Sequence, residues 1–124
     1  MTFMLLSVGG VLGALCRFHG ARIVQARINR NFPLGTFLIN LSGSLLLGLI
    51  VGLLAAHPGW PRQELSLLFG TGFCGAYTTF SSFSFETVQL WRAGQRRDAL
   101  CTVLAQPILG ACAAWLGLLV GTAL

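Results

Sequence analysis

The chain has 124 residues, 55% of them hydrophobic and only 9% charged, and its positive charge, +5 net, comes entirely from arginine. A soluble domain usually carries roughly 25% charged residues. This composition cannot dress a water-facing surface, which excludes the ordinary soluble classes and points to an integral membrane protein.

A spanning helix needs about 20 mostly apolar residues, and four stretches reach that length: 3–25, 34–56, 63–91 and 99–123. The first is too long for a signal-peptide core and has no basic segment before it. It carries small residues four apart, Gly9–Gly13 and Gly10–Ala14, with Arg17 deep inside and Arg22, Arg27 and Arg30 following. The second span starts after Pro33 and holds Asn40, Ser42, Ser44 and the pair Gly48–Gly52. HPGWPRQE (57–64), with two prolines and an interfacial Trp, connects it to the third span. RAGQRRD (92–98) leads into the fourth, which has Gly110–Ala114 and Gly117–Gly121. Small residues at this spacing let helix backbones approach closely in lipid, so tight helix packing is their expected role. The expectation is one four-helix transmembrane domain over 1–124.

Charge placement argues against nucleic acid. The arginines flank apolar spans, with three (Arg22, Arg27, Arg30) around the first connection, three (Arg92, Arg96, Arg97) around the third, and only Arg62 on the opposite side. Positive charge concentrates on the cytoplasmic side, which places both termini outside. Cys16, Cys74, Cys101 and Cys112 are scattered singly and read as small buried residues, not a zinc or redox motif.

The polar residues within the spans are the functional candidates, because polar groups are costly in hydrocarbon. Asn40 has two readings: a hydrogen bond to a neighbouring helix, or a pore-lining amide with two N–H donors for an anion. The third span would measure about 43 Å as one helix, against a hydrocarbon core of about 30 Å. Gly70, Gly72 and Gly75 near its middle predict a break there. Such a break offers carbonyl oxygens to a cation on one half-helix and N–H groups to an anion on the other. Beyond it, Phe80 and Phe83 share a helix face, with Ser81 and Ser84 beside them. Packing is the ordinary role of such a pair; edge-on, the rings can also stabilise an anion without a full charge. Glu86 lies seven residues beyond Thr79, on the same hydroxyl-bearing side. Its readings are a snorkelling carboxylate or a partner for Arg17, which can alternatively draw anions to an entrance.

GALCRF (13–18), PLGTFLINLSGSLLLG (33–48) and GTGFCGAYTTFSSFSFE (70–86) resemble the three signature stretches of the CrcB/Fluc family of fluoride channels, and the resemblance covers essentially the whole chain. It implies an all-α protein of the cell inner (plasma) membrane with four transmembrane helices, the third broken mid-membrane. It implies an antiparallel, dual-topology dimer with two fluoride pores, passive export of cytoplasmic fluoride, and a structural sodium ion at the dimer centre. By motif match the sodium is held by the backbone carbonyls of Gly75 and Thr78. The pore set matches Asn40, Phe80, Ser81, Phe83 and Ser84, and the supporting or vestibule set matches Arg17, Thr79, Ser82 and Glu86.

The chain departs from the family pattern at Ala76 and Ser82, and more seriously at Gly110 and Ala114, where pore-facing hydroxyls are expected on the fourth helix. Thr102 and Gln106 are the main polar groups left on that helix, and Pro107 is placed to kink it. The arginine bias suggests a chain inserted mainly one way, paired with an oppositely oriented paralogue, as the alternative to a homodimer. The rival functional reading is a small proton-coupled multidrug exporter of antiparallel four-helix type, which needs a membrane-embedded carboxylate, whereas the first, second and fourth spans have no acid and Glu86 lies near a span end. No nucleophile–base pair or metal cluster suggests an enzyme, and His19 and His57 read as interfacial.

Overall fold

The computed structural model describes residues 1–27 and 32–124, so Arg30 lies outside the described residues. The protein is built of helices: α1 (Thr2–Arg27), α2 (Leu34–Ala56), α3 (Arg62–Leu65), a π-helical stretch (Ser66–Cys74), α4 (Gly75–Tyr77), α5 (Phe80–Arg92) and α6 (Arg96–Ala123). Three of these, α1, α2 and α6, are long and apolar enough to cross a membrane, as a multi-pass membrane protein requires.

The glycine pairs set the packing. Cβ atoms added at Gly9 and Gly13 would strike the backbone at Leu68 and Phe73, and one at Gly72 would meet Gly9 Cα at 3.2 Å. α1 therefore lies directly on the π-helical stretch. The second seam joins α2 and α6, where Gly48 faces the Ala114 carbonyl, Gly52 faces Leu118 and Gly121, and Gly117 faces the Leu45 carbonyl. Rising numbers on one helix meet rising numbers on the other, so α2 and α6 run parallel. Backbones this close gain dispersion contact along their length, which replaces the hydrophobic drive that lipid removes. Gly10 meets nothing and takes no part in the seam.

The connection after α2 is closed by Arg62, whose Nε and Nη2 both donate to the Leu54 carbonyl at 3.1 and 2.7 Å. This satisfies a carbonyl that the helix end leaves without an intrahelical donor. His57 stacks on Trp60 with ring centroids 4.6 Å apart, so this histidine belongs to the loop. Gly94 supplies the turn before α6 at φ 80°, a conformation that favours glycine.

The third expected span is interrupted, but not where its glycines predicted. Around Gly70 and Gly72 the helix widens into π turns without breaking, and Gly75 is helical at φ −63°, ψ −34°. The chain leaves the helix at Thr78 (φ −79°, ψ 157°) and Thr79 (φ −147°, ψ 117°). Glycine lowers the cost of an irregular turn but supplies no competing partner for the backbone. Gly72 is spent on the contact with α1, while the break forms where side chains compete for the backbone hydrogen bonds.

Candidate functional site

Two side chains hold the break open. Asn40 Oδ1 accepts the Thr79 N–H at 2.8 Å, and Asn40 Nδ2 donates to the Thr79 carbonyl at 3.1 Å. In an unbroken helix the Thr79 N–H would go to the carbonyl of Gly75, four residues earlier. The Thr79 hydroxyl then caps α5 by accepting the Ser82 N–H at 3.2 Å. That N–H would otherwise go to the carbonyl of Thr78. The carbonyls of Gly75 and Thr78 thus both lose their helical donors, and these are the two oxygens expected to face a sodium ion. Thr78 itself stays tied to the end of the π-helical stretch, its N–H and its hydroxyl both donating to the Cys74 carbonyl at 3.0 Å.

Thr79 is buried, and it lines two cavities. The larger, about 370 Å³, is bounded by Asn40, Ser44, Gly75, Thr78, Phe80, Phe83 and Gln106. The smaller, about 240 Å³, is bounded by Arg17, Arg22, Thr36, Ser82 and Glu86. Thr79 is the wall between an aromatic chamber and a charged one. Its hydroxyl also contacts Ser81 Oγ and Ser82 Oγ, each at 3.2 Å, so the residues expected to serve as pore and support are coupled at the partition.

Phe80 and Phe83 meet at a centroid distance of 5.8 Å and an angle of 51°. Phe80 is 78% exposed; it projects from the chain and forms one wall of an open chamber. Ser84, one turn on, donates to the Phe80 carbonyl at 2.9 Å and lies on the exposed side. Asn40 spends both amide protons on protein acceptors, Thr79 O and Gln106 Oε1. The interhelical reading of Asn40 describes this arrangement.

In the charged chamber, Glu86 Oε1 accepts the Thr36 hydroxyl at 2.8 Å, while Oε2 is buried with no hydrogen-bond partner. Arg17 lines the same chamber, but among the described residues no guanidinium forms an ion pair with Glu86. Arg22 lies over the Phe18 ring at 5.2 Å. Thr36, the hydrogen-bond partner of Glu86, was not singled out in the sequence. Its signal was a hydroxyl four residues before Asn40 in an apolar helix, which puts both on one face. Among the described residues no group of three or more His, Cys, Asp or Glu could hold a metal.

Comparison with known proteins gives one answer. Residues 4–118 match the family model described as "CrcB-like protein, Camphor Resistance (CrcB)". The chain is 42% identical to Fluoride-specific ion channel FluC 1 of Symbiobacterium thermophilum over 122 residues, 98% of each chain. It is 43% identical to Fluoride-specific ion channel FluC 2 of Moorella thermoacetica over 117 residues, 94% of this chain and 93% of that one. It is 40% identical to Fluoride-specific ion channel FluC of Paracoccus denitrificans over 123 residues, 99% and 96% of the two chains.

Proposed function

The chain belongs to the CrcB family, and from that membership we propose that it is a fluoride-selective channel, not an enzyme, exporting cytoplasmic fluoride passively through a chamber walled by Phe80 and Phe83. The observation that carries this reading is the break at Thr78–Thr79. It puts an aromatic pair, an amide-clamped backbone and a set of hydroxyls around one opening. Fluoride is small and strongly hydrated. It crosses only where its water is replaced step by step, because burying an unpartnered anion is prohibitive. The ring edges of Phe80 and Phe83 supply part of that replacement without a full positive charge, so the ion is not trapped. Ser81 and Ser84 join them by turning their hydroxyls away from Thr79 and the Phe80 carbonyl. Arg17 and Arg22 draw the anion toward the charged chamber, with Ser82 and Thr79 at the partition. A negative-inside potential then drives it out at about 2.3 kcal/mol per 100 mV.

The functional unit in this reading has four spans per subunit, the third made of the interrupted stretch 63–91, and two subunits arranged antiparallel. The exposure of Phe80 supports this, since one wall of its chamber is open in the single chain. The freed carbonyls of Gly75 and Thr78 fit a structural sodium ion, which takes oxygen ligands and suits the carbonyl end of a half-helix. One subunit offers two such oxygens and a second copy would double them. When bound, the ion supplies fixed positive charge at the dimer centre and is not transported. The partner is a second copy or an oppositely oriented paralogue; the arginine bias favours the latter.

Efflux from liposomes loaded with fluoride or chloride tests the function. The purified protein should release fluoride and retain chloride, and Phe80→Ile or Phe83→Ile should slow fluoride at least tenfold. Chloride release at the fluoride rate would end the reading.

A further inference from the structure

On α6 the sequence leaves Gln106 with no role beyond being polar. In the structure its Oε1 accepts the second Asn40 Nδ2 proton at 2.8 Å. Its own Nε2 is buried without a partner, so the amide donor does not open into the chamber that the residue borders. A direct hold on an anion is therefore not what its orientation provides. What it does provide is an acceptor for Asn40.

We propose that Gln106 is a positioning residue for the break, holding the Asn40 carboxamide in the one orientation that keeps Thr79 out of the helix. An asparagine amide can turn about its last bond and exchange its oxygen and nitrogen. Turned over, Asn40 would aim N–H groups at the Thr79 N–H and an oxygen at the Thr79 carbonyl, and both contacts would be repulsive. Gln106 Oε1 can only accept, and of the two ends of the Asn40 amide only the nitrogen donates, so it favours Nδ2 on its own side and leaves Oδ1 for Thr79. The brace runs from α6 through α2 to the start of α5, three elements that the local sequence of the break does not connect. Its consequence is at Gly75: with the Thr79 N–H held by Asn40, the Gly75 carbonyl stays free. Helix packing does not depend on it, because the Gly48, Gly52, Gly117 and Gly121 seam clasps α2 to α6 further along.

The positioning stands on this geometry alone; its bearing on fluoride rests on the proposed function. The test is amide hydrogen exchange at Thr79 together with fluoride and chloride efflux, in purified protein reconstituted as wild type, Gln106→Met and Gln106→Glu. Gln106→Met keeps the length and loses the acceptor. Thr79 exchange should speed up by about tenfold, the scale of one lost hydrogen bond in a buried network, and fluoride-over-chloride selectivity should fall with it. Gln106→Glu keeps an acceptor oxygen for Asn40, and Thr79 protection should stay within about threefold of wild type. Gln106→Ala serves the same exchange measurement if the thioether does not fit. Wild-type exchange at Thr79 in Gln106→Met overturns the proposal. A loss of flux without that change would make Gln106 a direct ligand instead, and equal loss of protection in Gln106→Glu also overturns it. If the wild type itself moves no fluoride, the channel reading falls while the exchange result still decides the role of Gln106.

Discussion

Gly75→Ala separates what one subunit needs from what a partner needs. Gly75 is helical, at φ −63° and ψ −34°, and a Cβ added there meets no atom within 4 Å. Alanine is the better helix former by about 0.8–1.0 kcal/mol, so within the subunit the change should be neutral or stabilising by about 1 kcal/mol. Gly48→Ala is the contrasting control. Its Cβ would fall on the Ala114 carbonyl, with Leu118 N at 3.0 Å, and backbone cannot step aside cheaply. Overpacking of that kind costs about 1–3 kcal/mol. If two copies meet at their breaks, a methyl at each Gly75 occupies the space where the second subunit's carbonyls approach. The expected outcome is an unchanged or raised unfolding temperature for the isolated subunit of Gly75→Ala. Its dimer should nevertheless dissociate at least about tenfold more readily, equivalent to about 1.4 kcal/mol, and fluoride efflux should fall alongside. Dimer fraction is read by cross-linking across a series of lipid dilutions, and subunit stability by thermal unfolding in detergent. A dimer as tight as wild type, with full efflux, would show that Gly75 faces no partner and that the placement of the sodium site is wrong.

Three further outcomes follow from the same geometry. Glu86→Gln keeps an oxygen for the Thr36 hydroxyl, so fluoride efflux should persist within about tenfold, whereas a proton-coupled exporter would lose all coupled transport; a drug-efflux assay beside the fluoride assay distinguishes them. Thr79→Val deletes the acceptor for the Ser82 N–H and should cost about 1 kcal/mol of stability by thermal unfolding, with slower efflux because the partition loses its hydroxyl; a variant indistinguishable from wild type in both would contradict the capping account. Replacing sodium on both sides with a large organic cation should abolish efflux and loosen the dimer, and undiminished flux after prolonged exchange would remove the structural cation from the account.

The glycine pairs at four-residue spacing in α1, α2 and α6 were legible as packing, and the Gly9–Gly13, Gly48–Gly52 and Gly117–Gly121 pairs do pack. The position of the break was not legible. Gly70, Gly72 and Gly75 mark where the backbone is permissive, but the hydrogen bonds that open the helix come from Asn40, 39 residues away in sequence. No local pattern encodes a partner at that distance. The same limit hid the Thr36–Glu86 and Asn40–Gln106 bonds. Each was visible only as an isolated polar residue in an apolar run, and which two would meet depended on how α2 lies against α5 and α6. The interrupted span also explains why three helices, not four, pass as membrane-crossing by length and composition. Two π-widened and extended turns divide the apolar stretch into pieces too short to qualify.

The missing hydroxyls of α6 look different once the parallel register of α2 and α6 is known. Gly110 lies against Ser44, whose Oγ would sit 3.5 Å from a Cβ at that position, and the Ala114 carbonyl is the surface on which Gly48 rests. A Cβ at Gly110 would make only an ordinary contact with Ser44, and it is the backbone of Ala114 that meets Gly48, so the close approach of α2 and α6 is owed to Gly48, Gly52, Gly117 and Gly121. Ser44 borders the aromatic chamber from the facing helix, putting a hydroxyl beside the place where the α6 hydroxyl is absent. On this side of the chamber the polar groups come from α2, where Asn40 and Ser44 lie four residues apart on one face, and from Gln106 of α6. On this view Gly110 and Ala114 do not by themselves imply a dead pore, and the case for an unlike partner rests on the arginine distribution alone. The decisive experiment is to express this chain without any relative and measure efflux: robust fluoride release removes the need for a second kind of subunit, and silence with an intact fold requires one.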